Sequence, residues 1–428
     1  MKKLLLLGSS NGTCDIVRDA QKKGIYTIVT DNLDPSISPA KQISDEQWYI
    51  STADVDKLEA KCRAENVDGI LCGISGFNIT KSMELCRRLN KPFYCTPDAM
   101  HFEKDKADFK KICRSVGAPV ADDYFLSDAL TDDEVAKVVY PVVVKPVDKG
   151  ANAGISFCYN IDDLREAFKL VRKVSTNPKI VVERMLHGEE WYSSYAVVNG
   201  EVRLLALNAM YHEKGYPTNC YTITTTVSNH VEQYIKEINQ HIERVLKKIG
   251  CTNGYVWVQV MLDEDGHFYI IELGYRLDAD KMYLPIKDIL GYDTISSLVN
   301  LSCGLSNDDN PLPPPQTKAF KKCGCGHMLW TKKSGVITKI EGLDIIASRP
   351  GFVVDYFMPN FHEGCSCKAF RAIGTITYTA DNIDEFCELI KFVNETVHVY
   401  DENGEDLIIK YTDFNYLKRV YYEGLEGK

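Results

Sequence analysis

The chain has 428 residues, 45% of them hydrophobic and 26% charged, with a net charge of −10. That length is long for one core, so about two to four domains are expected, and the acidic balance leaves no basic tract of the kind a general nucleic-acid binder needs. No segment approaches the roughly 20 apolar residues of a membrane span, and the run Leu4–Leu7 before Gly8 is too short for a signal-peptide core. The fifteen cysteines therefore read as reduced thiols in a cytoplasm rather than as a disulfide framework.

The first third alternates short apolar strands with helical stretches, the pattern of a parallel sheet with crossover helices. Lys3–Leu7 is predicted as the first strand, followed by the polar loop Gly8–Thr13 and the helix Cys14–Lys23. Tyr26–Thr30 and Gly69–Cys72 read as further strands, Lys57–Glu65 and Thr80–Leu89 as helices, and residues 1–95 as one doubly wound domain. From Thr96-Pro97-Asp98 a helical linker runs through Lys104, Lys106 and Lys111 to Val116.

Val142–Lys145, Ser156–Cys158 and Ile180–Glu183 are predicted strands, with a helix over Asp162–Val174. Glu190–Val198 and Glu201–Ala209 form a hairpin through Asn199-Gly200, a strong type I′ turn signal. A long helix over Val231–Ile249 precedes strands Tyr255–Leu262 and Phe268–Glu272. Asn307–Pro315 is the clearest linker, and beyond it strand and helix patterns alternate again to about residue 412.

The stretch Tyr140–Gly154 holds the most informative chemistry. An apolar strand ends in Lys145, and a small-residue loop follows with Lys149, Gly150 and Gly154. Such a loop can lie over a polyphosphate, because glycine lets backbone N–H groups approach while lysine supplies charge. Taken alone, Lys145 also reads as a surface lysine closing a strand, and Lys106, beside Lys104, Lys110 and Lys111, reads as part of a solvated helix face.

Three further segments stand in a fixed order around this stretch: Asp105-Lys106, Val182-Glu183-Arg184-Met185-Leu186, and Glu272-Leu-Gly274-Tyr-Arg276. Together they resemble the ATP-grasp superfamily of carboxylate–amine ligases, which includes carbamoyl-phosphate synthase, biotin carboxylase and amino-acid ligases. The resemblance covers the whole length. It implies an α/β fold with α+β lobes: a pre-ATP-grasp Rossmann-like domain (1–95), a two-lobed ATP-grasp core (96–310, small lobe about 110–188, large lobe about 189–310), and a C-terminal α+β region (311–428) completing the large lobe.

What the resemblance implies for individual residues follows the motifs. Lys106 and Lys145 contact the α- and β-phosphates, and Lys149, Gly150 and Gly154 cover them. Glu183 and the backbone of Arg184 and Leu186 serve the adenine, and Glu190 the ribose, with Glu189 a competing choice. Glu272 holds Mg²⁺, for which Mn²⁺ can substitute, and Arg276 stabilises charge in the transferring phosphoryl group. Gln259 stands at the first metal position, and Gly274 stands where the family carries an asparagine. A one-metal or water-filled arrangement is expected; Asp278 or Asp280 could compensate, or be solvated loop acids.

The implied reaction is ATP-dependent activation of a small carboxylate as an acyl-phosphate, which an amine attacks, with ADP and phosphate as products. A bicarbonate-activating carboxylase and a nucleotide-binding module without turnover are the rival readings. By analogy a homodimer is expected, with no nucleic-acid or membrane partner. The loops Gly8–Thr13 and Gly73–Asn78 are candidates for acceptor contacts, as are Tyr211, His212 and Tyr221–Ser228. Cys323, Cys325 and His327, with His362, Cys365 and Cys367, form a candidate zinc set, against which stands the frequent burial of free cysteine.

Overall fold

The computed structural model describes residues 1–10, 12–147, 154–177, 179–356 and 362–427. Strands β1 (Lys3–Leu7), β2 (Tyr26–Thr30), β3 (Glu46–Trp48) and β4 (Gly69–Leu71) form a parallel sheet in the order β3-β2-β1-β4. Leu4, Leu5, Leu6 and Leu7 are all fully buried. A strand covered on both faces has no polar side to alternate with, which explains the unbroken leucine run. Helices Thr13–Lys22, Val55–Glu65 and Gly76–Leu89 carry the crossovers.

The predicted helical linker is two helices, Pro97–Lys104 and Lys106–Ser115. Asp105 separates them. Its Oδ1 accepts from Ala107 N at 3.1 Å and Asp108 N at 3.0 Å, an N-cap that starts the second helix afresh. Lys106 is thereby fixed at that helix's first position.

Strands β5 (Val142–Pro146), β6 (Ser156–Cys158) and β7 (Ile180–Arg184) make a small antiparallel sheet in the order β6-β5-β7, covered by the helix Ile161–Val174. Val142, Val144, Leu164, Phe168, Val171 and Val182 belong to a core of its own, distinct from the main one.

The main sheet has eight strands in the order β12-β11-β8-β9-β10-β13-β18-β16. They are β8 (Gly188–Val198), β9 (Glu201–His212), β10 (Tyr221–Thr225), β11 (Gly254–Asp263), β12 (Phe268–Gly274), β13 (Cys323–Trp330), β16 (Val353–Tyr356) and β18 (Ala372–Ala380). The remaining strands, β14 (Gly335–Val336), β15 (Lys339–Glu341), β17 (Ser366–Cys367) and β19 (His398–Tyr400), pair as two short ribbons. The expected β8–β9 hairpin forms, with Asn199 (φ 50°) and Gly200 (φ 81°) both left-handed, as a type I′ turn requires. The predicted helix over Val231–Ile249 is interrupted by a π-helical turn at Ile235–Asn239. Strands from beyond the proline-rich segment enter the same sheet as those before it.

The faces of this sheet differ. Ile270, Val260, Trp191 and Ala209 lie opposite one another in register, and all four are buried. On the other face the register aligns Glu272, Gln259, Tyr192 and Asn208. A β-bulge between Gln259 and Val260 sets this alignment: Val260 faces Ile270, but Gln259 faces Glu272, with Ile271 as the extra residue. Without it Gln259 would face Ile271, and Glu272 would point into the apolar layer.

Candidate active site

The small lobe contributes a buried ion network. Glu183, on β7, receives Lys145 on one carboxylate oxygen and Lys110 on the other, the latter at 2.5 Å. Lys110 also meets Asp123, whose second oxygen pairs with Arg114 at 2.6 Å. Three cations thus face two carboxylates. Burial pushes the Glu183 carboxyl up, but Lys145 and Lys110 outweigh it and hold it down at about 2. Burial would lower Lys145; Glu183, with Glu272 and Asp123 adding to it, raises it instead.

Lys110 was assigned to a solvated helix face, and the structure corrects this: it is only 3% exposed. The buried residues of its helix are Phe109, Lys110 and Cys113, so Lys110 lies on the apolar stripe. A charge can stay there only because Glu183 and Asp123 answer it.

The segment after β7 runs along a cavity of about 480 Å³ lined by Phe157, Met185, Leu186, Glu189, Glu190 and Met261. Of the backbone groups expected to meet a base, Arg184 N donates to Asp122 O at 2.9 Å, which leaves only its carbonyl. The Arg184 guanidinium pairs with Asp263 at 2.6 Å and lies over the Tyr269 ring. Tyr411 and Tyr416 from the C-terminal segment form the far wall, a contribution absent from the sequence-based expectations. Tyr416 OH donates to Glu189 at 2.7 Å.

On the large sheet Glu190 lines this cavity, and Gln259 and Glu272 stand opposite each other beside it. Gln259 Nε2 donates to Glu190 Oε2 at 3.0 Å, and Lys106 Nζ lies 3.5 Å from Glu272 Oε2. Burial pushes Glu190 above its ordinary value; the Gln259 amide opposes this and Glu272 adds to it. Arg276 follows on the loop after β12. Its Nε donates to Glu103 at 3.0 Å and its guanidinium lies 5.0 Å from the Trp257 ring centroid. Gly274 is opposite Trp257 in register, and a Cβ there would come within 2.2 Å of the indole.

Several expected residues fall elsewhere. Lys149 and Gly150 lie outside the described residues, while Gly154 is left-handed (φ 80°), packed near Pro146 and Val174. Asp278 and Asp280 are buried rather than solvated. Asp278 accepts from Tyr255 OH and Met282 N, each at 2.7 Å, and Asp280 from Thr224 Oγ1 at 2.6 Å. Burial raises both, Asp280 to about 7. Gly8 packs against Asn78, and Gly12 against Leu277 and Tyr283, which brings both acceptor-loop candidates beside the segment that follows Arg276.

Among the described residues the only His, Cys, Asp and Glu cluster of metal-binding geometry is His101, Asp105 and Asp108, so the cysteine set is not assembled as a zinc site. His327 is buried against Tyr378 OH at 3.2 Å. Burial pushes its imidazole down to about 3. All fifteen cysteines are free. No helix among the described residues is long and apolar enough to cross a membrane.

A family model described as D-ala D-ala ligase C-terminus matches residues 116–274. The chain is 24% identical to a formate-dependent phosphoribosylglycinamide formyltransferase of Bacillus subtilis, over 74% of this chain and 84% of that protein. It is 22% identical to the carbamoyl phosphate synthase large chain of Caldanaerobacter subterraneus, over 71% of this chain but only 29% of that protein's length. Among solved structures, the biotin carboxylase domain of Hydrogenobacter thermophilus 2-oxoglutarate carboxylase, in complex with MgADP and bicarbonate, superposes with a TM-score of 0.76 over 100% of this chain and 95% of that one at 16% identity. The L-amino acid ligase of Bacillus licheniformis superposes with a TM-score of 0.73 at 19% identity, covering 94% and 99%. Residues 116–274 thus match that family model, and the chain as a whole shares the fold of these two solved structures.

Proposed function

We propose that the protein is an ATP-dependent ligase that activates a small carboxylate as an acyl-phosphate for attack by an amine, releasing ADP and phosphate. One observation carries the reading. Lys145 of the small lobe is near enough to Glu272 of the large sheet to be raised by it, Lys106 lies 3.5 Å from the same carboxylate, and Glu190, hydrogen-bonded to Gln259, lines an adjoining cavity of nucleotide dimensions. Phosphoryl transfer asks a protein mainly for positioning and charge neutralisation, and this cleft offers both.

In this reading Lys106 and Lys145 neutralise phosphate oxygens, with Lys149, Gly150 and Gly154 covering them. Met185, Leu186 and Met261 pack the base. The Glu183 carboxylate is already engaged by two lysines, so the Arg184 carbonyl and the Leu186 backbone serve the base. Glu190 serves the ribose. Glu272 and Gln259 would supply oxygens to a Mg²⁺ whose charge offsets that of the phosphates, and Arg276 holds positive charge beside the transferring group. The pre-ATP-grasp (1–95), ATP-grasp (96–310) and C-terminal (311–428) divisions are proposed with it, as are a homodimer and a cytoplasmic location, the latter supported by fifteen free cysteines. The filled space at Gly274 favours a second reading, a nucleotide-binding module without turnover.

Mg²⁺-dependent ADP release against pools of amino acids and small carboxylates, with Glu272→Gln as control, tests the proposal. Pool-dependent release that vanishes in the variant is expected. ATP binding with no pool-dependent turnover would leave the binding-module reading.

A further inference from the structure

The acid-bearing wall has room for fewer cations than its sheet position first implies. Glu272 and Gln259 stand directly opposite each other on one face. Gln259 commits its amide N–H to Glu190, so Oε1 is the atom it can offer a cation. These two residues fit one hard divalent ion, which takes oxygen ligands and completes its shell with phosphate and water.

The next position on that face is Gly274, and it offers nothing. A Cβ there would lie 2.2 Å from Trp257 Cε2, 2.3 Å from Cζ2 and 2.5 Å from Nε1. The indole therefore fills the space from which a ligating side chain at 274 would start. The same ring carries the Arg276 guanidinium at 5.0 Å. Glu103 holds Arg276 Nε at 3.0 Å, and Arg276 Nη1 donates to Leu277 O at 3.3 Å. Among the described residues Nη2 has no hydrogen-bond partner. A planar cation stacked on an aromatic face and held from behind is a preorganised positive charge that costs no reorganisation when phosphate charge develops.

We infer that this cleft takes a single divalent cation, on Glu272 and Gln259, and that the Trp257–Arg276 stack supplies fixed positive charge in place of a second one. Trp257 is in this view a positioning residue that acts through Arg276. The ion count rests on reading the cleft as a nucleotide site, and the role of the stack rests on the ligase proposal as well.

The experiment counts Mn²⁺ bound to the full chain by electron paramagnetic resonance after equilibrium dialysis, with a β,γ-imido ATP analogue equimolar with protein. One Mn²⁺ per nucleotide-bound chain is expected. Two would overturn the inference. Analogue that fails to bind would overturn it together with the nucleotide reading, whereas one bound ion without pool-dependent ADP release would sink the ligase proposal, and the role of the stack with it, but not the ion count. Replacing Trp257→Ala together with Gly274→Asn should admit a second ion. If that variant does not fold, a separate pair decides the role of the stack: Trp257→Leu should lower kcat about 100-fold with KM for ATP unchanged, and Trp257→Phe should restore it to within a few-fold. Equal kcat in wild type and Trp257→Leu would overturn the assignment of Trp257.

Discussion

The two walls of the cleft solve opposite problems. On the small-lobe side each buried acid is already answered, Glu183 by Lys145 and Lys110, Asp123 by Lys110 and Arg114. On the large-sheet side Glu190 leans on a neutral amide, and Glu272 has Lys106 at 3.5 Å with a third of its side chain exposed. A buried, saturated network is expensive to break because a removed partner strands a charge. A half-exposed carboxylate is cheap to remove and is available to a ligand. The first wall should therefore report on stability and the second on chemistry.

The strongest way to break this contrast is Glu183→Ala, which leaves Lys145 and Lys110 buried without their shared partner. A stability loss of about 3–5 kcal/mol is expected in urea unfolding; a loss below 1 kcal/mol would remove the distinction between the walls. Glu272→Gln should do the reverse, lowering kcat for ADP release about 10²–10³-fold while shifting stability by no more than about 0.5 kcal/mol.

Acid titration of stability sharpens it further. His327 and Glu183 both have lowered pKa values in the fold, so each contributes stability that is present at higher pH and lost on acidification. For His327 the loss begins below the unfolded value of 6.5 and continues to about 3. For Glu183 it begins only below 4.5 and continues to about 2. Between pH 6.5 and 4.5, replacing His327→Gln should flatten the stability curve by about 1.4 kcal/mol per pH unit. An unchanged slope there would show that His327 is not held neutral. The smallest effect concerns the outer wall: Tyr416→Phe loses one hydrogen bond to Glu189, and KM for ATP should rise about 2- to 10-fold with kcat unchanged.

Much of the cleft was legible because its signals are local. Lys145 closes an apolar strand, Asn199-Gly200 demands a hairpin, and the motifs occur in chain order. What escaped depends on distant partners. Lys110 looks solvated among Lys104, Lys106 and Lys111; only its alignment with Phe109 and Cys113 hints at burial, and Glu183 is 73 residues away. Tyr411 and Tyr416 reach the cavity from a segment with no motif of its own. The departure at Gly274 was visible, but not that an indole fills the gap, since Trp257 comes opposite only through cross-strand register. Asp278 and Asp280 misled because their partners, Tyr255 and Thr224, lie on other strands of the sheet.

The bulge at Ile271 gives the acid wall's strand one residue more than its ladder uses. Ile271 is the residue the ladder skips, so deleting it would join Ile270 to Glu272 and leave Glu272 opposite Gln259 and Gly274 opposite Trp257. The deletion should therefore cost the local bend of the strand but not the carboxylate, and Ile271→Val should pass almost unnoticed.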